Sequence, residues 1–322
     1  MYASQYFKKV ILFILLVTLN YFLLQTVETK AFNNQTDTGS RLEIPFKLER
    51  NKVILQVTVG NSAPLKVILD TGMPIEGLLL YDKTLSDSLG LINPIEVKVP
   101  GAGKGEPSTA VMADSMSFNA GNVKFENQRI VILQNDQFKG FPTDGVIGHS
   151  LLGNYITEID YDNEVIRLSK SGQTEADNSW KVVPLSFKNN RKIPWIEASI
   201  NTTGEEDIDV SMYIDLASGE SIEMLIKDDQ KFELPEVLED DYLGRGLSGD
   251  IYGKRGKIQS CTLGNFTIDN VSAAFAPAEI RSKQKGADGI IGNNLLRRFN
   301  VIFDYFNEKL YIKPSKHFEE PF

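Results

Sequence analysis

Short stretches in which apolar and polar residues alternate follow one another along the chain from about residue 50 onward. Every second residue of 53–59 is apolar, which is the period of a strand with one buried face. Further strand-like stretches, each bounded by Gly, Asn, Pro or Asp, are 95–99, 110–118, 125–133 and 158–168. Because few stretches between them have helical periodicity, the pattern predicts an all-β protein.

Two of the predicted strands end in an aspartate. The apolar run 67–69 stops at Asp70, and the apolar run 212–214 stops at Asp215. A buried strand that ends abruptly presents its last side chain at a turn, at the edge of a core. Two such ends that face each other would bring two carboxylates together.

The sequence repeats itself at a spacing of 144 residues. The segment 144–152, which reads Asp-Gly-Val-Ile-Gly-His-Ser-Leu-Leu, returns at 288–296 as Asp-Gly-Ile-Ile-Gly-Asn-Asn-Leu-Leu. Two further segments return in nearly the same register: 160–164 at 304–308, and 121–127 at 264–270. Three segments in one register indicate a duplicated fold rather than a chance likeness among short strands.

The repeat predicts two lobes of common design. We assign an N-terminal lobe to residues 42–170 and a C-terminal lobe to 181–316, followed by a tail at 317–322. The segment 171–180 is polar over most of its length, as expected for a linker between the lobes.

The first 31 residues differ in composition from the rest of the chain. Lys8 and Lys9 precede an apolar run at 10–24, and small residues near Ala31 offer a cleavage site, so an export signal is expected. The alternative is an uncleaved membrane anchor, although the run is shorter than the roughly 20 residues that span a bilayer. Both place the body of the protein in the periplasm or outside the cell, after a polar lead-in at 32–41.

Composition excludes several classes of function. The chain has 43 acidic and 34 basic residues and a net charge of −9, so no nucleic-acid partner is expected. Cys261 is the only cysteine and there are two histidines, so the sequence predicts no disulfide, no metal and no organic cofactor. His149 occupies the position of Asn293 in the repeat, and we expect it to serve a turn or a helix cap.

Several motifs of the sequence, taken together, resemble those of one known protein family. The Asp-Thr-Gly sequence at 70–72 after an apolar strand, a glycine-rich hairpin, and Ile-Gly before paired leucines resemble the aspartic peptidases of the pepsin and retropepsin type. The segment 289–305 is similar in particular to the bacterial, exported, two-lobed aspartyl proteases, and the likeness covers 42–316. It implies two β-barrel-like lobes with an active-site cleft between them and a catalytic pair, Asp70 and Asp215.

The chemistry of such a pair explains the residue types. Two carboxylates held close together share one proton, because both cannot ionise cheaply. The charged member then acts as general base on a water molecule between them, and the protonated member acts as acid toward the carbonyl oxygen of a peptide. Asp70 and Asp215 are therefore expected to titrate as a unit.

The residues around the pair have supporting roles in this interpretation. The Thr71 hydroxyl fixes the first aspartate loop by hydrogen bonding, and Gly72 brings a backbone amide close to the carboxylate without obstructing substrate. The resemblance implies that an apolar-apolar-Gly element lies beneath each aspartate loop and holds it in place. These elements end in Ile147 and Gly148 in the first lobe and in Ile291 and Gly292 in the second.

The second aspartate loop departs from the family pattern. Leu216 stands where a hydroxyl residue is expected and Ala217 where the glycine is expected, so the reciprocal hydroxyl bonds that lock the loops in the family lose one partner. Ser218 offers a hydroxyl two positions too late. Three alternatives follow, in this order: Asp215 still partners Asp70 with a remodelled support, Asp215 has shifted and the enzyme is impaired, or Asp70 pairs with its counterpart in a second molecule.

Two glycine-rich segments are candidates for loops over the cleft. Gly101, Gly103 and Gly105 follow Asp70 by about thirty residues, where the family has its flap, a mobile hairpin that closes over bound peptide. The alternative is a surface loop. The segment 244–249 matches a dinucleotide-binding fingerprint as a string, but it lacks the leading strand and the following helix. We expect it to be the corresponding loop of the second lobe.

The sequence thus leads to an exported, monomeric aspartic endopeptidase that acts on polypeptide substrates. It would meet the membrane only through an uncleaved N-terminal segment. The alternative, from a different class, is a binding module that has kept the groove for a peptide or another ligand and lost catalysis. Leu216 and Ala217 favour the binding module, whereas Asp215 at the repeat spacing favours the enzyme.

Overall fold

The computed structural model describes residues 41–170, 176–188, 192–281 and 285–322. These ranges contain twenty strands and four one-turn helical segments, so the all-β prediction is confirmed. No helix within them is both long and apolar enough to cross a membrane. The predicted export segment, the lead-in up to residue 40 and residues 171–175 of the predicted linker lie outside the described ranges.

The first half of the described chain contributes ten strands. They are β1 (Leu42–Glu49), β2 (Lys52–Val59), β3 (Leu65–Leu69), β4 (Gly77–Leu80), β5 (Ile95–Val99), β6 (Ser108–Ala120), β7 (Val123–Leu133), β8 (Gly145–Ile147), β9 (Ile156–Asp160) and β10 (Val165–Ser169). Two short helices, α1 (Leu85–Ser88) and α2 (His149–Leu152), interrupt them.

The second half repeats this order. Its strands are β11 (Lys181–Pro184), β12 (Trp195–Asn201), β13 (Ile208–Asp215), β14 (Ile222–Ile226), β15 (Leu238–Gly246), β16 (Gly249–Leu263), β17 (Phe266–Pro277), β18 (Gly289–Gly292), β19 (Phe299–Asp304) and β20 (Lys309–Pro314). A 3₁₀ turn (Ala278–Arg281) follows β17, and α3 (Asn293–Leu296) follows β18.

The two halves pair their strands in the same way. In the first lobe β3 runs parallel to β8 and β4 parallel to β7, and in the second lobe β13 runs parallel to β18 and β14 parallel to β17. The antiparallel pairs β4–β8 and β14–β18 also correspond. Additional pairings, β2 with β6 and β12 with β16, curl each sheet toward a barrel. The prediction of two related, barrel-like lobes is therefore confirmed.

A shared sheet joins the lobes, with the strand order β11-β20-β19-β9-β10-β1. Its central pair, β9 and β19, brings one strand from each half together in antiparallel register. Strand β1 then leaves this sheet, because its first four residues pair with β10 and its last four pair with β2. The lobes are thus connected by main-chain hydrogen bonds as well as by the linker.

The stretch 158–168 is a hairpin rather than the single strand that the alternation predicted. The Asn163 side chain and backbone N–H both donate to the carboxylate of Asp160, and Glu164 has a left-handed φ of +53°. Asn307 makes the same two bonds to Asp304 at the end of β19. A repeated Asp-x-x-Asn turn therefore ends the strand in both lobes.

The strand that leads to Asp70 is buried on both faces. Val67 and Leu69 belong to the main core, whereas Ile68 packs with Leu79 and Met73 in a second apolar cluster on the other side of the sheet. A strand covered on both faces reads as a continuous apolar run, which is what 67–69 showed. The aspartate therefore begins where a fixed strand ends.

Candidate active site

Asp70 directly follows the last residue of β3. Its backbone N–H donates to Ile147 O of β8 at 2.8 Å, and its Oδ1 accepts from the Gly72 N–H at 2.8 Å. A Cβ added to Gly148 would lie 2.7 Å from Asp70 O, so a side chain has no room there. Ile147 and Gly148 therefore lie directly against the first aspartate loop.

Asp215 is the last residue of β13 and lies opposite Gly292 of the parallel strand β18. Its Oδ1 accepts from the backbone N–H groups of Ala217 at 3.0 Å and Ser218 at 3.2 Å. A Cβ added to Gly292 would approach the backbone of this loop to 2.2 Å. Ala217 therefore supplies the amide that Gly72 supplies in the first loop, and the alanine does not remove this support.

The Thr71 hydroxyl links the two aspartate loops. It donates to Ile214 O at 2.7 Å and accepts from the Leu216 N–H at 3.0 Å. Leu216 is fully buried but has no hydroxyl to return these bonds, so the link is one-sided. The Ser218 hydroxyl does not replace it, because it accepts from the Glu220 N–H within its own loop at 3.4 Å.

The two carboxylates converge on Gly72. A Cβ added to Gly72 would lie 3.2 Å from Asp70 Oδ1 and 3.2 Å from Asp215 Oδ2. The two oxygen atoms are therefore no further apart than twice that distance, and any side chain at position 72 would crowd both. Within one chain, an oxygen atom of each acid therefore lies close to Gly72. Ile291 is fully buried opposite Ile214, beneath the second loop.

Both aspartates hold their protons more tightly than usual. Burial, and then the charge of Asp215, raise the pKa of Asp70 to about 8, while the Gly72 N–H and Arg281 act in the opposite direction. Burial also raises the pKa of Asp215, where Arg281 opposes the shift and the charge of Glu223 adds to it. Two acids in this setting keep at least one proton at neutral pH.

Glu223 and Arg281 form a buried ion pair whose charges act on the aspartates. Arg281 Nε and Nη2 donate to the two carboxylate oxygens of Glu223 at 3.0 and 2.8 Å, and Glu223 is 3% exposed. The registers of β4 with β8 and of β14 with β18 make Leu79 the counterpart of Glu223 in the first lobe. The pair did not follow from the sequence reasoning. Its one signal is an acid inside the apolar strand Ile222–Ile226.

Lys52 is a second cation near the pair that the sequence reasoning missed. Its Cε would lie 3.5 Å from a Cβ added to Gly219, which belongs to the second aspartate loop. Burial lowers the pKa of Lys52, and the charges of Asp215, Asp70 and Glu220 oppose this. A lysine at the start of an alternating strand ordinarily lies in solvent, so nothing in the local pattern marked it.

Two hairpin tips, one from each lobe, meet and bond to each other. Residues 101–105, the first tip, join β5 to β6, and residues 246–249, which contain the second tip, join β15 to β16. The Ser248 N–H donates to Ala102 O at 2.9 Å, and the Gly105 N–H donates to Ser248 O at 2.6 Å. The two glycine-rich segments of the sequence thus lie at equivalent places in the two lobes and bond to each other.

The glycines of the first tip allow this close approach. A Cβ added to Gly101 would lie 2.4 Å from Leu247 Cβ, and one added to Gly103 would lie 2.5 Å from the backbone of the second tip. Leu247 in turn packs on the apolar cluster that contains Met73 and Ala217 from the two aspartate loops. The two tips therefore pack against the apolar cluster that both aspartate loops contact, and we call the two tips the roof.

A tyrosine from the opposite lobe lies behind each aspartate loop. The Tyr161 hydroxyl donates to Asn293 Oδ1 at the start of α3. In the other lobe, Tyr305 lies beside His149 with a ring separation of 6.0 Å. The Tyr305 hydroxyl and His149 Nδ1 have no hydrogen-bond partner among the described residues. His149 begins α2 without capping it, so the capping expectation was wrong.

The buried His149 makes the fold sensitive to acid. Burial, followed by the nearby charge of Lys192, lowers the pKa of His149 to about 4, while Glu76 acts in the opposite direction. Because the unfolded chain binds this proton near pH 6.5, stability is lost as pH falls from 6.5 toward 4, by up to about 3 kcal/mol. We expect His149→Asn, which introduces the residue of the other lobe, to remove most of this loss.

Denaturant unfolding at pH 7 and at pH 4.5 measures the effect. His317→Asn is the matched control, because the His317 side chain is enclosed to a similar degree, 15% exposed against 12% for His149, but pairs with Glu320 Oε1 at 2.7 Å. An equal loss of stability between the two pH values in wild type and His149→Asn would contradict the assignment to His149.

The two lobes and the paired aspartate loops define the fold of the aspartic peptidases. In particular, the chain is similar to the aspartic proteinase from the fungus Irpex lacteus, with a TM-score of 0.57 and 13% sequence identity. The similarity covers 87% of this chain and 99% of that one. The sequence matches no family model and no curated protein. At this identity the likeness concerns the fold alone.

Proposed function

We propose that the protein is an aspartic endopeptidase in which Asp70 and Asp215 activate a water molecule. The observation that carries the proposal is the convergence of the two carboxylates on Gly72, each with an oxygen that accepts a backbone N–H from the residue two positions on. Structural acids are usually paired with cations or kept apart. One half-buried and one buried acid with raised pKa values, next to two hairpin tips that bond to each other, are more typical of a catalytic site than of a stabilising contact.

The proposed reaction follows from one proton shared between two acids. The charged carboxylate takes a proton from water, whose oxygen bonds to the peptide carbonyl carbon, while the protonated carboxyl gives its proton to the carbonyl oxygen. As the diol then collapses, one of its hydroxyl groups returns a proton to the charged carboxylate, the C–N bond breaks and the nitrogen leaves with the proton of the other carboxyl. The products are a carboxylic acid and an amine, and the pair regains its single proton.

The substrate in this proposal is an extended polypeptide that lies between the hairpin tips and the aspartate loops. Glycines at the tips leave backbone groups free to hydrogen bond along such a strand once the tips part. The N-terminal sequence supports action outside the cytosol, so exported or extracellular polypeptides are the expected substrates.

The test is cleavage of unfolded polypeptides by the purified protein between pH 3 and pH 9. Asp70→Asn and Asp215→Asn should each lower kcat/KM by roughly 10³-fold or more, because either change removes the acid–base pair. Activity should fall as pH rises above about 8, where the raised pKa of Asp70 allows the pair to lose its last proton.

Asp136→Asn is the matched control, since this acid lies at the surface and pairs only with Lys83 among the described residues. Its activity should equal that of wild type. An absence of cleavage at every pH, or equal cleavage by Asp70→Asn, would leave the binding module as the better proposal. The one-sided Thr71 link is the observation that favours that second candidate.

A further inference from the structure

The first lobe touches the second aspartate loop at a turn between β1 and β2. Both residues of this turn have left-handed backbone, with φ of +50° at Arg50 and +58° at Asn51. The Asn51 side-chain amide donates to Gly219 O at 3.3 Å. A Cβ added to Gly219 would lie 3.2 Å from Arg50 O, so the turn rests against the loop with no space between them.

Asn293 ties this turn to the loop. It is fully buried, and its backbone N–H donates to Ser218 O at 2.9 Å. Its side-chain Nδ2 donates to Asn51 O at 2.9 Å, and its Oδ1 accepts from the Tyr161 hydroxyl. Asn293 therefore joins the Asp215 loop to two segments of the first lobe with hydrogen bonds that are buried or largely buried.

The side-chain hydrogen bonds of Asn293 have no counterpart at His149 among the described residues. His149 takes the place of Asn293 behind Asp70, and neither its Nδ1 nor the Tyr305 hydroxyl has a hydrogen-bond partner in the described part of the chain. The Asp70 loop instead has the Thr71 hydroxyl, which the Asp215 loop lacks. The Asp70 loop thus carries the Thr71 hydroxyl. The Asp215 loop, which has no such hydroxyl, carries the hydrogen bonds of Asn293.

We propose that Asn293, together with Asn51 and Tyr161, is a clamp that holds Asp215 in its catalytic orientation in place of the missing hydroxyl. The Ser218 backbone carries the effect, because its N–H donates to Asp215 Oδ1 and its carbonyl oxygen accepts from Asn293. Release of the carbonyl oxygen would let Ser218 move and would shift the N–H that orients the carboxylate. These three are positioning residues, and the inference rests on the proposed function.

Two tyrosines provide a matched pair of variants. Tyr161→Phe removes the hydroxyl that orients Asn293, and we expect kcat to fall roughly tenfold with KM unchanged, because a misplaced acid affects only the reacting step. Tyr305→Phe removes the hydroxyl at the equivalent position, which has no hydrogen-bond partner among the described residues, and its kcat should equal that of wild type. Equal kcat for both variants would overturn the proposal.

A rescue distinguishes positioning from general stability. Asn293→Ala should lower kcat by roughly 10-fold to 100-fold. Adding Leu216→Thr places a hydroxyl where the family pattern has one, able to reach the first loop as Thr71 reaches the second, and should restore most of the lost kcat. The clamp is excluded if Asn293→Ala keeps kcat within twofold of wild type, or if the double variant is folded and no faster than the single one.

Amide hydrogen exchange tests the clamp independently of any catalytic activity. The N–H groups of Ala217 and Ser218 donate to Asp215, so their exchange should be faster in Asn293→Ala and unchanged in Tyr305→Phe. If wild type cleaves no peptide, the proposed function fails and this measurement still decides the clamp. Unaltered exchange in Asn293→Ala would overturn it even in an active enzyme.

Discussion

Arg281→Met is expected to lower the free energy of unfolding by about 3–5 kcal/mol, because it leaves the buried carboxylate of Glu223 without its cation. The Arg281 guanidinium donates two hydrogen bonds to that carboxylate, and the two side chains are 14% and 3% exposed. Solvent therefore screens the remaining charge poorly. The measurement is denaturant unfolding at pH 7, with the change read from the midpoint at constant slope.

The double variant Arg281→Met with Glu223→Leu is the control. It gives the second lobe an apolar residue at the position of Leu79 in the first, so its stability should return to within about 1–2 kcal/mol of wild type or exceed it. If the double variant is as unstable as Arg281→Met, lost packing explains the effect and the ion pair does not.

The fold was predictable because the sequence contains an internal repeat at a spacing of 144 residues. The repeated segments 144–152 and 288–296 proved to be strand β8 with helix α2 and strand β18 with helix α3. Their parallel partners carry Asp70 and Asp215 at the strand ends. A duplicated pattern indicates two related lobes and equivalent positions for the two acids, which a single strand-like run cannot do.

The alternation of apolar and polar residues gave a wrong prediction at 158–168, which is a hairpin and not one strand. Apolar residues lie on both sides of the turn at Asn163 and Glu164, so the run reads as one long strand. The chain turns instead, because the Asp160 carboxylate accepts two hydrogen bonds from Asn163 that stabilise the turn. Asp and Asn at this spacing are a turn signal, and their return at Asp304 would have revealed it.

The surroundings of the aspartates were not predictable from local sequence. Lys52 and Asn51 adjoin the second aspartate loop only because the β1–β2 turn crosses between the lobes. Arg281 reaches Glu223 across 58 positions of the chain. Such contacts depend on how the sheets curl and pack, which neither periodicity nor motif spacing describes. The electrostatics of the site therefore came from the structure alone.

Linking the hairpin tips by a disulfide is expected to abolish peptide cleavage. Ala102 and Ser248 are joined by a main-chain hydrogen bond of 2.9 Å, so cysteines there lie near the roughly 4.4–6.8 Å Cα separation that a disulfide needs. The roof packs against the apolar cluster that both aspartate loops contact, and Asp215 is only 9% exposed. In the oxidised Ala102→Cys/Ser248→Cys variant we expect cleavage to fall by roughly 10²-fold or more, because substrate cannot enter until the tips part.

Reduction should restore the rate, and the two single-cysteine variants should cleave equally well under both conditions. Cys261 does not interfere, since it is fully buried and its pKa is raised to about 12 by burial. The measurement is the initial rate on one peptide before and after addition of reductant. An oxidised double variant that cleaves at the wild-type rate would mean that peptides reach the aspartates without separation of the tips, and the role of the roof as a gate would be wrong.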